Sequence, residues 1–147
     1  MPADYQTVLV PTDGSDEVDR ALNHALRIAT DHSAEVHALY VVDTRVLKAA
    51  SENRESVAAD LRDQGDAAVK HVAGRAARVD VECPTVVREG TPDVAIRDYA
   101  DEIAADVVVM APRGLTGRDR LRSLGSVTER VVGSADHPVL VVGGESG

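Results

Sequence analysis

Short apolar runs alternate with segments of helical spacing along the whole chain, and this alternation restricts the fold more than any single residue does. Val8-Leu9-Val10 is a strand-like run ended by the turn residues Pro11-Thr12-Asp13-Gly14. From Ser15, read as an N-cap, the pattern becomes helical, with Leu22, Ala25, Leu26 and Ala29 on one face. Val36 to Val42 is a second apolar run, closed by Asp43. A helical segment follows from about Val46 to Ala77, loop-like through Asn53, with Val57, Leu61, Ala68, Val69 and Val72 as its buried stripe. Val79 to Arg88 reads as a third strand, and Pro84 within it argues for a sheet edge or a bulge. Thr91-Pro92 opens a helix whose inward face carries Ile96, Tyr99, Ala100 and Ile103. Val107 to Met110 is apolar on both faces, as in an interior parallel strand. Ser126-Val127-Thr128-Glu129 has the form of a capping box, and Pro138 to Val142 is a fifth strand. Strands alternating with helices predict an α/β fold, an open, mostly parallel five-stranded sheet with helices on both faces. No linker or repeat interrupts residues 1–147, so one domain is expected.

Charge narrows the partners. Asp and Glu number 25 against 16 Lys and Arg, a formal net charge of −9, which disfavours nucleic acid and anionic lipid surfaces. No apolar run reaches the roughly 18 residues that a membrane span requires. The first residues have neither the basic flank nor the apolar stretch of a secretory signal, and Cys83 is the sole cysteine. A cytoplasmic protein is the expectation. Arginine outnumbers lysine 14 to 2, Asp outnumbers Glu 16 to 9, and Phe and Trp are absent, so Val and Ala must fill the core. Such a surface suits a halophilic cytoplasm, where screening suppresses self-repulsion; a GC-rich genome would produce a similar bias.

In an open parallel sheet, ligands sit beyond the C-terminal strand ends, near the reversal of strand order. Pro11 to Ser15, Val41 to Thr44 and Ala111 to Ser126 fall there. The last holds Gly114, Gly117 and Gly125 and leads into a helix start, while Arg113, Arg118, Arg120, Arg122 and Arg130 locally reverse the sign of the charge. Helix N–H groups beside glycines form an anion site; a solvated loop with its arginines paired to surface carboxylates is the alternative. The five histidines show no spacing suited to a metal, and Ser15 and Ser126 have no identifiable triad partners, so no catalytic residue is assigned. Cys83 reads as a small core or edge filler.

The runs "VLVPTDGS", "LYVVD" and "VVVMAPRGLTGRDRLRSLGSVTERVVGSADHPVLVV" resemble the universal stress protein family over essentially the whole chain, least across residues 44–78. The resemblance implies a Rossmann-like fold of the adenine nucleotide alpha hydrolase type and binding of ATP, with Mg2+ or Mn2+ carried on its phosphates. It implies Pro11, Thr12 and Asp13 at the adenine and ribose, and Val41 and Met110 lining the same pocket. Gly114, flanked by Arg113 and Leu115, would meet the phosphates, as would Gly125, Ser126 and Val127. Ala111 stands where ATP-binding members carry a glycine, and ten residues rather than nine separate Gly114 from Gly125. It further implies a homodimer through Pro138 to Val142, whose apolar edge the short polar tail does not cover. A slow ATPase or nucleotide-transfer enzyme, and a nucleotide-independent interaction module, are the competing functions.

The salt dependence is directly testable. The Debye length falls from about 10 Å at 0.1 M to about 3 Å at 1 M salt, so the melting temperature should rise between dilute and molar KCl. An unchanged or lower value in molar KCl removes the halophilic reading.

Overall fold

The computed structural model describes residues 4–112 and 124–143. Its elements alternate as expected: β1 (Thr7–Pro11), α1 (Glu17–His32), β2 (Glu35–Asp43), α2 (Thr44–Ala50), a single 3-10 turn (Ser51–Asn53), α3 (Arg54–Ala77), β3 (Thr85–Gly90), α4 (Pro92–Glu102), β4 (Val107–Met110), α5 (Ser126–Ser134) and β5 (Val139–Val141). All five strands are parallel, in the order β3-β2-β1-β4-β5. The chain builds the sheet outward from β1 to β3, returns to the other side of β1, and builds outward again. Right-handed crossovers then place the first helices on one face and the last on the other.

The two faces have different cores. Val8 and Val10 of β1, Val36, Ala38, Tyr40 and Val42 of β2, and Val107 and Val109 of β4 pack under α1 and α3. Leu9, Leu39, Val108 and Met110 point to the opposite face, against Ile96, Tyr99 and Ala100 of α4 and Val131 of α5. The alternation follows from the two-residue repeat of a strand. On α1, Ala21, Ala25 and Ala29 are almost wholly buried, so the helix approaches the sheet closely without large side chains. Tyr40 is the bulky exception on this face, and its ring is accommodated by the absence of a side chain at Gly65 of α3.

Three local expectations need correction. Ser15 is not the cap of α1; Asp16 occupies that position, and no side chain caps the helix. Ser15 lies inside the turn instead, its N–H donating to Asp13 Oδ1 at 3.0 Å. The stretch read as a loop before Asn53 is largely the helix α2, because the Asp43 carboxylate accepts the Arg45 N–H and caps it. Strand β3 starts at Thr85, not Val79. Residues 79 and 80 form the turn that ends α3, with Asp80 at φ +59°, though the Glu82 and Pro84 carbonyls already accept from Val36 and Ala38. Pro84 precedes an edge strand, as its missing N–H requires.

The two edges are finished differently. On β3, Arg88 makes two hydrogen bonds to Glu102 of α4, at 2.7 and 3.2 Å, and lies over the Tyr99 ring, while Glu89 pairs with Arg62 of α3. Charged side chains tied to flanking helices discourage pairing with a further strand. On β5, Leu140 is exposed and Val139 and Val141 are half-buried. Among the described residues, no helix is long and apolar enough to cross a membrane.

The two glycines of α3 should respond oppositely to one substitution. A Cβ on Gly65 would stand 2.6 Å from Tyr40 Cδ1, whereas one on Gly74 meets nothing within 4 Å. Gly74→Ala should gain about 0.5–1 kcal/mol from helix propensity. Gly65→Ala should instead lose about 1–3 kcal/mol through overpacking, as read by urea denaturation of both variants. Equal stabilisation by both substitutions would refute the packing role of Gly65.

Candidate functional site

The strand order reverses between β1 and β4, so the crossovers leave on opposite faces there, and in such sheets the ligand crevice falls at the C-terminal strand ends. Around it stand Pro11 to Gly14, the end of β2, the end of β4 and the start of α5.

The first wall is a tight turn. Thr12 is buried, and its N–H donates to the Leu39 carbonyl at 2.8 Å, carrying the ladder one residue past β1. Its hydroxyl then accepts the Gly14 N–H at 3.1 Å, and Asp13 Oδ1 accepts the Ser15 N–H. Gly14 adopts φ +85°, a conformation that any L side chain would strain. These local bonds are typical turn chemistry for Thr and Asp and fix the Asp13 carboxylate at the strand end. Burial, and secondarily the charge of Asp13, raise the Tyr40 phenol above its usual pKa.

The second wall is the end of β2. Val41 is half-buried on the same face as Leu39, against the α4–α5 core. Asp43 holds Arg45 through Nε at 3.0 Å and Nη2 at 2.8 Å. That hydrogen-bonded pairing keeps the Asp43 carboxyl below the ordinary carboxylate pKa despite partial burial.

The third wall is built from three successive carbonyls. Met110 accepts from Val142 N–H at 2.9 Å, Ala111 from the Thr128 hydroxyl at 2.9 Å, and Pro112 from Gly125 N–H at 2.7 Å. The chain therefore leaves the sheet at Pro112 and returns to the same place at Gly125. Thr128 is buried, and nothing in its sequence setting singles it out as this anchor.

This return also corrects the reading of the α5 start. Gly125, with φ −64° and ψ 155°, occupies the cap position, and Ser126 is the first helical residue. Thr128 then takes the place where a capping box needs its acid, and its hydroxyl goes to Ala111, so the Ser126–Glu129 box does not form. Glu129 N–H bonds to the Gly125 carbonyl at 2.9 Å, an ordinary helical bond. The Gly125 N–H is committed to Pro112, which leaves the N–H groups of Ser126, Val127 and Thr128 as first-turn donors.

The crevice thus brings together Pro11, Thr12, Asp13, Val41, Met110, Ala111, Gly125, Ser126 and Val127. Arg113, Gly114 and Leu115 lie outside the described residues, as do Gly117, Arg118, Arg120 and Arg122. Ala111 is buried in the α1–α3 core and does not adopt positive φ. Its methyl group therefore faces away from Met110, which packs on the other face. Among the described residues, no cluster of His, Cys, Asp or Glu is arranged to hold a metal ion. Cys83 is half-buried against the core, and burial pushes its thiol up to about 11, in keeping with a filler.

The doubly wound parallel sheet of this chain superposes on solved structures of similar proteins. The sequence pattern of the universal stress protein family matches residues 4–143. A universal stress protein of Methanocaldococcus jannaschii, MJ0531, is 41% identical over 140 residues, covering 94% of this chain and 82% of its own. The solved structure of the protein MJ0577 superposes with a TM-score of 0.87 at 28% identity, covering 98% of this chain and 99% of the other. A universal stress protein solved in complex with cAMP aligns with a TM-score of 0.69 at 28% identity, over 95% and 97% of the two chains. The chain belongs to the universal stress protein family.

Proposed function

We propose that this protein binds an adenine nucleotide, ATP foremost, at the β1–β4 crevice and works as a dimeric, nucleotide-dependent regulator or interaction module in the stress response. The observation that carries the reading is the start of α5. Its Ser126 and Val127 N–H groups stand beside the end of β4, at the positive end of a helix, where phosphate oxygens are favoured. Pro11, Val41 and Met110 supply apolar surface for a base, and Asp13 supplies a carboxylate for a ribose hydroxyl. The alanine at 111 does not count against binding, because its side chain belongs to the core behind the sheet. The relative solved with cAMP supports an adenylate as the ligand class. A divalent ion would be held chiefly by the phosphates, and no residue here is assigned to hydrolysis.

The phosphate donor can be removed without disturbing the helix. Proline is well accommodated at the first helical position, and the extended Gly125 backbone is the conformation a following proline requires. Ser126→Pro should therefore fold normally while losing one charge-assisted hydrogen bond, about 1.5–3 kcal/mol or roughly tenfold to hundredfold in ATP affinity by calorimetry. Ser126→Ala reports the hydroxyl alone. Equal affinity in the wild type and Ser126→Pro would show that phosphate does not lie at this helix start. Mass analysis of ligand released from freshly purified protein identifies the nucleotide, and its consistent absence alongside no ATP binding would favour the nucleotide-independent module.

The dimer reading rests on the contrast between the edges. β3 is closed off by paired charges, whereas β5 presents Val139, Leu140 and Val141 without any such device among the described residues. Antiparallel pairing of two β5 strands about a two-fold axis would satisfy both copies alike. Light scattering at working salt should give twice the chain mass of 15.5 kDa, and a monomer mass at micromolar concentration would overturn it.

A further inference from the structure

His137 lies two residues before β5 and is joined by its ring nitrogens to the end of α4 and to the turn that follows it. Nδ1 is 2.8 Å from the carbonyl oxygen of Ala105, and Nε2 is 2.7 Å from Asp101 Oδ1. A carbonyl and a carboxylate only accept hydrogen bonds, so both ring nitrogens must donate for both contacts to hold. A neutral imidazole has one N–H and would turn a lone pair toward one of these oxygens. The arrangement is therefore complete only when the ring carries its second proton.

The mechanical setting gives that proton leverage. Asp101 belongs to the last turn of α4, and Ala105 lies in the turn leading into β4, tied by its N–H to the Ala100 carbonyl. Immediately after His137, the Pro138 carbonyl accepts from Val108 N–H, the first bond of β5 to the sheet. β5 has only three residues, and its other end is held by Val142 N–H to the Met110 carbonyl. The ring contacts thus fix the entrance of a very short strand whose outer edge is open.

We propose that His137 is a proton-held clasp that seats the entrance of β5, so that pairing of β5 with a second copy of the chain is strongest when the imidazole is doubly protonated. This rests on the homodimer reading above and adds its regulation. The hydrogen bond to the Asp101 carboxylate is the largest influence on the ring and raises its pKa above 6.5, opposed by partial burial. The Ala105 carbonyl and the charge of Asp136, on the ring's own segment, act in the same direction as Asp101. A folded-state pKa above the unfolded value means that the clasp is fully engaged below the unfolded value. It is lost as pH rises through the folded one.

The test follows the wild type, His137→Gln and Asp101→Asn by sedimentation from pH 6 to 9 in molar KCl, which screens the general charge repulsion. The His137 ring is followed by NMR over the same range. In the wild type the dimer dissociation constant should rise about tenfold as the ring deprotonates, the change expected from losing one charge-assisted hydrogen bond. His137→Gln should vary by less than about twofold, and Asp101→Asn should lower the ring's titration midpoint. A dimer whose affinity is flat across the wild-type ring titration overturns the clasp and leaves the homodimer standing. An unshifted ring midpoint also overturns the clasp. A monomer at every pH overturns the homodimer itself, and the coupling with it.

Discussion

The handedness of a crossover between parallel strands is the constraint from which the rest of this molecule follows. A right-twisted strand feeding a helix packs back onto the sheet in one sense only, so growth from β1 toward β3 and growth from β4 toward β5 must use opposite faces. The reversal falls between β1 and β4, and such sheets place the ligand crevice there, at the C-terminal strand ends. Thr12, Asp13, Met110, Ala111 and the start of α5 meet at that point because of topology rather than mutual attraction. Each is then held by its own short-range bonds to the sheet or the turn.

Much of this architecture was legible because it depends on periodicity. The apolar runs at Val8–Val10, Val36–Val42 and Val107–Met110 coincide with strands, and Leu22, Ala25, Leu26 and Ala29 with the buried face of α1. What escaped the sequence depends on contacts between distant residues. Thr128 is an unremarkable helical threonine until the end of β4 places the Ala111 carbonyl beside it. That contact moves the α5 start and replaces a locally plausible capping box. Similarly, α2 was masked by its composition, since only the Asp43 cap distinguishes Thr44–Ala50 from a loop. Gly65 is explicable only once Tyr40 is seen against it. The same holds for Ala111. Its methyl group lies in the α1–α3 core, a placement visible only once the faces of β4 are assigned.

Among the described residues the buried polar side chains Thr12, His37, Asp93 and Thr128 each make hydrogen bonds. His37 on β2 meets the Tyr99 hydroxyl at 3.1 Å through Nδ1 and Glu35 at 2.9 Å through Nε2. Tyr99 also supports Arg88 from below, at 4.8 Å from its ring centroid. This network joins β2, β3 and α4 at the β3 edge of the sheet, so satisfying a buried histidine and guarding that edge are achieved with the same side chains. In a core of mainly small side chains, with Tyr40 and Tyr99 as its buried aromatic rings, such polar links define relative placement that small side chains alone would leave loosely specified.

The junction of Pro112 with Gly125 has a consequence for how such proteins diversify. Two contacts, Gly125 N–H to Pro112 and the Thr128 hydroxyl to Ala111, fasten the departure and the return of the chain to the same strand end. The entropy of closing a loop grows only with the logarithm of its length, so adding a residue between such points costs a few tenths of a kcal/mol at most. A change in the number of residues between these two fastened points should therefore leave the end of β4 and the start of α5 together. Motif spacing counted across that interval is then a poor measure of the distance between its two ends, which the Pro112–Gly125 hydrogen bond sets directly.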